Sequence, residues 1–258
     1  MNIEYYLKRD YIRNLISQGK RADGRGLNEL RPLTITKGYV DDKACGSAYV
    51  KLGNTEVIVG ISMGVGEPYP DSPTSGVMST SVEFRPIAHP NFEAGPPQPE
   101  SIEVARVIDR GIRESGSIDL DKLFIEEDKI WLVFIDIHIL NHDGNLIDAG
   151  GIASIAALLD CRMPKYENGR PVRGEWAGKL PMTCTPVPFT FGKVGPTIIM
   201  DATADEEYAI DARLTVTTSD TLNAMQKGGT GSFTGDEIKS CVEQAFKRAP
   251  PIKAIIEG

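Results

Sequence analysis

Cysteine is scarce in this 258-residue chain: Cys45, Cys161, Cys184 and Cys241 are widely spaced, with no Cys-x-x-Cys pair. With an opening segment that is charged and amphipathic rather than a signal peptide, this predicts a reduced, intracellular, cytoplasmic protein. The longest apolar runs fall well short of the ~18 residues needed to span a bilayer, so a soluble protein with no membrane partner is expected. A basic excess is missing too. Lysine and arginine number 28 against 36 aspartates and glutamates, for a net charge of -8, which excludes nucleic-acid binding through overall charge. Any phosphate contact must be local. Of three histidines, His138 and His142 are four apart, but on a strand and its following turn that spacing covers ~13 Å, too far for one zinc ion. They read as core or turn residues. Neither Gly144 to Gly151 nor Gly228-Gly229-Thr230-Gly231 has phosphate-loop or dinucleotide spacing, and Ser47, Ser79 and Ser154 have no nucleophile elbow. No cofactor, metal site or serine nucleophile is expected.

What is present reads as α+β. Residues 4 to 18 place Tyr11, Leu15 and Ile16 at helical spacing, Gly19 follows as a stop, and a basic arm runs from Lys20 to Pro32. Ala48 to Leu52 and Glu56 to Ile61 flank Gly53-Asn54, a hairpin turn. Gly64 to Gly76 and Pro86 to Pro99 are long loops, and the second leads into a helix. Lys129 to Leu140 is a buried strand, and Gly150 to Met163 a small-residue apolar helix. Residues 164 to 185 are polar and contain glycine and proline, marking a boundary between halves. Thr190 to Met200, Asp211 to Ser219 and Leu222 to Gln226 read as strands. A last helix starts near Thr234 and ends at Pro250-Pro251. Two sets of strands, each followed by a helix, predict a helix and arm over residues 1–30, a first half over 31–164 and a related C-terminal half over 186–251.

The feature that points most directly to function is Arg106, Arg110 and Arg113, at i, i+4 and i+7 of a predicted helix. They emerge from one face, with Val104, Ala105, Ile108 and Ile112 opposite. A planar guanidinium is well matched to phosphate oxygens. Glu103, Asp109 and Glu114 stand three or four residues away, so a solvated face laced with ion pairs is the competing reading. The acidic cluster Asp201, Asp205, Glu206, Glu207 and Asp211 reads as a solvated loop, the alternatives being a Mg²⁺ site or a general acid.

The arm Arg21-Ala-Asp-Gly-Arg25-Gly-Leu-Asn-Glu-Leu-Arg31-Pro resembles the opening motif of RNase PH family proteins, the phosphorolytic 3′-end ribonucleases and their relatives. Gly46-Ser-Ala, Lys51-Leu-Gly-Asn-Thr55, Gly66-Glu-Pro-Tyr-Pro70, Glu93-Ala-Gly-Pro-Pro97, Glu103-Val-Ala-Arg106, Asp143-Gly144 and Gln226-Lys-Gly228 follow in the family's order. The resemblance runs from about Tyr5 to about Ala249 and is closest to the non-catalytic RNase PH-like ring subunit of the archaeal exosome. It implies two α+β halves like the second domain of ribosomal protein S5. It also implies a ring of three heterodimers with a catalytic paralogue, RNA-binding cap subunits, and single-stranded RNA as ligand.

Where the chain departs from active members, the resemblance implies no catalysis of its own. Their polar run after the Asp-Gly, which holds the attacking phosphate at a helix N-terminus, is here Asn145-Leu-Ile-Asp148. Leu146 and Ile147 offer phosphate nothing, and Asp148 is expected to repel it. Their second Asp-x-Asp carboxylate is replaced by Arg213, which cannot serve as a general acid. An active phosphate-dependent exoribonuclease with a rebuilt pocket, and a binding protein unrelated to RNA, are the alternatives. Arginines matching Arg106 and Arg110 are implied to reach RNA phosphates at the neighbouring subunit's active site; Arg113 shares the face without so clear a match.

Overall fold

The computed structural model describes residues 3–40 and 43–258; Met1 and Asn2, the start of the expected 1–30 unit, lie outside it. Helix α1 (Ile3–Ser17) precedes a first sheet of β1 (Leu33–Lys37), β2 (Gly46–Leu52), β3 (Thr55–Gly66), β4 (Val77–Phe84), β5 (Phe124–Glu126) and β6 (Lys129–Asn141). Their order is β1-β2-β3-β6-β4, with β5 paired to β6 and only β4 running parallel to its neighbour. The β2–β3 turn falls on Gly53 at φ 59°. From Trp131 to Ile139 every second residue of β6 is buried, so one face of the sheet is core.

Helices α2 (Pro99–Glu114) and α3 (Leu146–Asp160) cover that face. A Cβ on Gly150 would come within 2.8 Å of Ile108 Cδ1, and one on Gly151 within 2.7 Å of Pro188 Cγ. The small residues of α3 therefore let it fit between α2 and the second sheet. That sheet is β10 (Thr197–Met200), β9 (Val187–Val194), β11 (Ala212–Thr218) and β12 (Leu222–Gly229), antiparallel in that order, with α5 (Gly235–Glu257) packed on β11 and β9. One hydrophobic core runs through both halves, from Val50 and Ile137 to Phe189, Val216 and Ala245.

Several expectations are corrected. The run from Gly64 is not all loop, because β3 continues to Gly66, and β4 was not anticipated. The polar stretch after residue 163 is a two-stranded ribbon, β7 (Arg162–Glu167) with β8 (Arg170–Lys179), turning at Asn168-Gly169 with φ of 51° and 81°. The strand expected from Thr190 to Met200 is two strands, because Gly195 at φ 58° and Pro196 turn the chain. Helix α3 begins at Leu146 rather than Gly150, with Asn145 left-handed at its start, and ends at Asp160. Helix α5 runs through Pro250 and Pro251 to Glu257. An interior proline costs a helix roughly 3 kcal/mol, but Ile252 and Ile256 beyond it are buried and Glu257 accepts a hydrogen bond from Thr185 Oγ1 at 2.8 Å. Burial of those side chains outweighs the local break.

Candidate nucleic-acid interface

Pro99 starts α2, where its missing N–H costs nothing, and the spacing of Val104, Ala105, Ile108 and Ile112 fixes which face is buried. Arg106, Arg110 and Arg113 are consequently all exposed. Their environments differ. Arg106 has no hydrogen bond or ion pair with any described side chain; Arg110 touches only an amide, Nη1 donating to Gln226 Oε1 at 2.7 Å on β12. Arg113 is held, through Nε to Asp109 Oδ2 at 2.9 Å and Nη2 to the Met78 carbonyl at 3.1 Å. Of the three expected ion-pair partners, only Asp109 pairs within the stripe. Glu103 reaches across to Arg213 instead, at 2.6 Å. A shallow hollow of ≈ 320 Å³ lies along the stripe, floored by Ser79 and Thr80 of β4 and edged by Arg106 and Arg110.

Beside this helix, where the Asn145 run meets Arg213, is a larger cavity of ≈ 590 Å³ lined by Leu146, Ile147, Glu103, Glu207 and Arg213. Asp148 does not face it. The carboxylate is buried, accepting hydrogen bonds from Thr190 N at 2.9 Å, Thr190 Oγ1 at 2.7 Å and Asn145 Nδ2 at 2.8 Å. Burial pushes its pKa up to about 7. The expectation that Asp148 repels phosphate is thus corrected. The acid at the start of α3 is Glu207, whose Oε1 accepts the Asn145 N–H at 2.8 Å. An intramolecular carboxylate occupies the anion-favouring end of the helix. Arg213 is paired with Glu103 and its charge also acts on Glu207 across the same lining.

The acidic cluster is solvated only in part, at the exposed Asp205 and the half-buried Asp211. Asp201 and Glu206 are buried. Arg31 grips Asp201 with two nitrogens at 2.7 and 3.0 Å, Arg25 adds a third contact at 3.0 Å, and Arg21 pairs with Glu206. Burial raises the Asp201 pKa, but the Arg31 guanidinium outweighs it and holds the carboxyl below its usual range. Asp211 pairs with Arg13 at 2.9 Å and Asp205 with Lys8 at 3.3 Å. Each of these four acids meets its own cation, and among the described residues no group of three or more His, Cys, Asp or Glu is placed to hold a metal. Short helix α4 (Ala204–Glu207), capped by Thr203, sets Glu206 toward the arm and Glu207 toward α3. The sequence reading missed this lock, although Arg21, Arg25 and Arg31 all stand in the opening motif. Glu207 was read only as a member of the acidic cluster, and no local pattern indicated its contact with the start of α3.

His138 lies near Glu83 and Arg85, whereas His142 packs against His89 and Phe92, so the two do not meet. Burial lowers the His142 pKa to about 4. No helix among the described residues is long and apolar enough to cross a membrane.

Residues 29–164 match the model of domain 1 of the 3′ exoribonuclease family, RNase PH, and residues 184–248 match its domain 2. The chain is 49% identical over 257 residues to the exosome complex component Rrp42 of Pyrococcus horikoshii, covering 97% of this chain and 93% of the relative. It is 46% identical over 244 residues to the Rrp42 component of Thermoplasma acidophilum, covering 93% and 92%. Its structure is similar to a chain of the Archaeoglobus fulgidus exosome with RNA bound to the active site, with TM-score 0.89, 41% identity and coverage of 98% and 99%. A chain of an archaeal exosome core gives TM-score 0.88 at 39% identity, covering 99% and 98%.

Proposed function

Because the chain belongs to the 3′ exoribonuclease (RNase PH) family, we propose that it is the non-catalytic, RNA-contacting subunit of an exosome ring. Its partner is a catalytic RNase PH-like paralogue, three heterodimers close the ring, and RNA-binding cap subunits sit on it in the cytoplasm. The Rrp42 relatives support the assembly. One observation carries the RNA contact: Arg106 and Arg110 stand exposed on a rigid helix with no acidic partner among the described residues. Free guanidinium groups on a fixed face suit phosphate oxygens and carry no base information. A ring repeating the pair three times gives an acidic protein a local cationic path through avidity.

The degenerate cleft supports the absence of catalysis. Glu207 takes the helix N-terminus where phosphate would sit, Leu146 and Ile147 line the space beside it, and Arg213 is bound to Glu103. Nothing in this arrangement favours the alternative of an active phosphorolytic enzyme. Reconstitution tests both halves of the proposal. The purified chain is expected to release no nucleoside diphosphates from RNA with inorganic phosphate, and the complex with its paralogue is expected to do so. Turnover by the chain alone, free of other ribonucleases, contradicts the non-catalytic role.

A further inference from the structure

The ribbon of β7 and β8 is basic in a chain of net charge -8: Arg162, Lys165, Arg170, Arg173 and Lys179 stand against Glu167 and Glu175. Both acids are taken. Glu175 pairs with Lys165 at 2.7 Å, and Glu167 stands opposite Arg170 where the ladder reaches its turn. Arg162, Arg173 and Lys179 are left, all exposed and none with an ion pair or side-chain hydrogen bond among the described residues.

Their placement is unfavourable without a ligand. Arg162 and Lys179 are direct partners in the antiparallel ladder, and like charges directly opposite each other repel. The acid nearest to Arg162 in sequence, Asp160, is committed to the Ser47 N–H at 3.0 Å. Arg162 lies over the Trp176 ring, 4.4 Å from its centroid, a contact that orients the guanidinium and leaves its N–H groups for an acceptor. The ribbon itself is anchored: the Tyr166 ring meets Trp131 of β6 edge-on at 6.3 Å, and its hydroxyl donates to Glu126 Oε1 at 2.9 Å. A fixed cluster of unmatched cations results.

The chemistry selects among polyanions. A protein interface has an apolar centre inside a polar rim, and none of the exposed large hydrophobic residues of the described chain lies on this ribbon. A nucleic-acid backbone needs only cations placed for its phosphates. We propose that Arg162, Arg173 and Lys179 form a second contact for the phosphates of single-stranded RNA, on a different element from the α2 stripe and blind to base sequence. This rests on the reading that the chain contacts RNA, and extends that contact to the ribbon.

Arg173→Gln with Lys179→Gln removes two of the three charges and spares the stack of Arg162 on Trp176. Anisotropy titration of a labelled oligouridine into the ring reconstituted with the catalytic paralogue, or into the full chain should the parent form no ring, reads the effect. The log-log salt slope should flatten by about 1.4, taking ~0.7 for each lost contact, a loss of affinity that is absent near 1 M salt and reaches about 25-fold near 0.1 M. Arg162→Gln should flatten it by about 0.7. Lys239→Gln with Lys247→Gln, both exposed on α5, makes the same change in net charge and should leave affinity within about twofold. Parent-like binding by the ribbon variants, equal weakening by the α5 pair, or failure of a ribbon variant to join a ring that the parent joins, the mark of a protein-docking surface, would overturn the proposal. Weakening by the ribbon variants beside an inert double variant of Arg106 and Arg110 sinks the α2 reading alone, and the reverse pattern sinks this one alone.

Discussion

Arg31→Ala should be among the most destabilising single changes in this chain. The side chain is 5% exposed and its guanidinium makes two contacts with Asp201, which is 0% exposed, plus a hydrogen bond to the Asp143 carbonyl at 2.6 Å. Removing it leaves a buried carboxylate with Arg25 and Asn145 but without its principal partner. Breaking a buried pair from one side costs about 3–5 kcal/mol. For a chain of this size each kcal/mol lowers Tm by roughly 2–4 °C, so Tm should fall by roughly 6–20 °C, with a matching loss in urea unfolding. The pH dependence carries a signature. Asp201 is held below its usual range, so its contribution is present above the unfolded-state value and is lost as pH falls through the lower folded one. In Arg31→Ala the acid transition should therefore begin at higher pH than in the parent. A loss under about 1 kcal/mol, the level of a surface ion pair, with an unshifted acid limb, would refute the lock.

Asp148→Asn should be tolerated, since an amide can accept from Thr190 N and Asn145 Nδ2 and donate to Thr190 Oγ1. The raised Asp148 carboxyl favours folding most below its unfolded-state pKa and loses that advantage as pH rises toward about 7; Asp148→Asn should flatten the decline of Tm over that window, and an unchanged profile contradicts the assignment. Truncation after Pro251 should cost roughly 3–6 kcal/mol, from the burial of Ile252 and Ile256, measured by urea unfolding; a neutral truncation means α5 ends in practice where the prolines stand. Arg213→Asp alone should yield no phosphate-dependent nucleoside diphosphate release, because Glu207 still fills the α3 N-terminus.

The parts of the fold legible in the sequence were those carried by local pattern. The buried strand β6, the Gly53-Asn54 hairpin, the one-sided α2 and the Thr234 start of α5 all appear as read. Asn168-Gly169 was an equally strong turn signal, but a polar composition on both sides masked it. Extension of α5 past two prolines depends on Ile252 and Ile256 finding the core, which no window around the prolines records. The candidate site divides similarly. Exposure of the arginines followed from helical period, whereas the freedom of Arg106 depended on Glu103 crossing to Arg213, 110 positions away, and Arg110 turned to Gln226 of β12. The arm lock and Glu207 likewise join residues distant in sequence.

The central claim is that Arg106 and Arg110 contact RNA phosphates, and one double variant tests it most directly. Arg106→Glu with Arg110→Glu, in the ring reconstituted with the catalytic paralogue, should leave assembly intact because both side chains are exposed and face away from the core. Binding of single-stranded RNA and its degradation should weaken for every sequence alike. The log-log salt dependence of binding should flatten by about 1.4, taking ~0.7 for each of two lost phosphate contacts. An assembled double variant that binds and degrades RNA like the parent at low and moderate salt contradicts the claim.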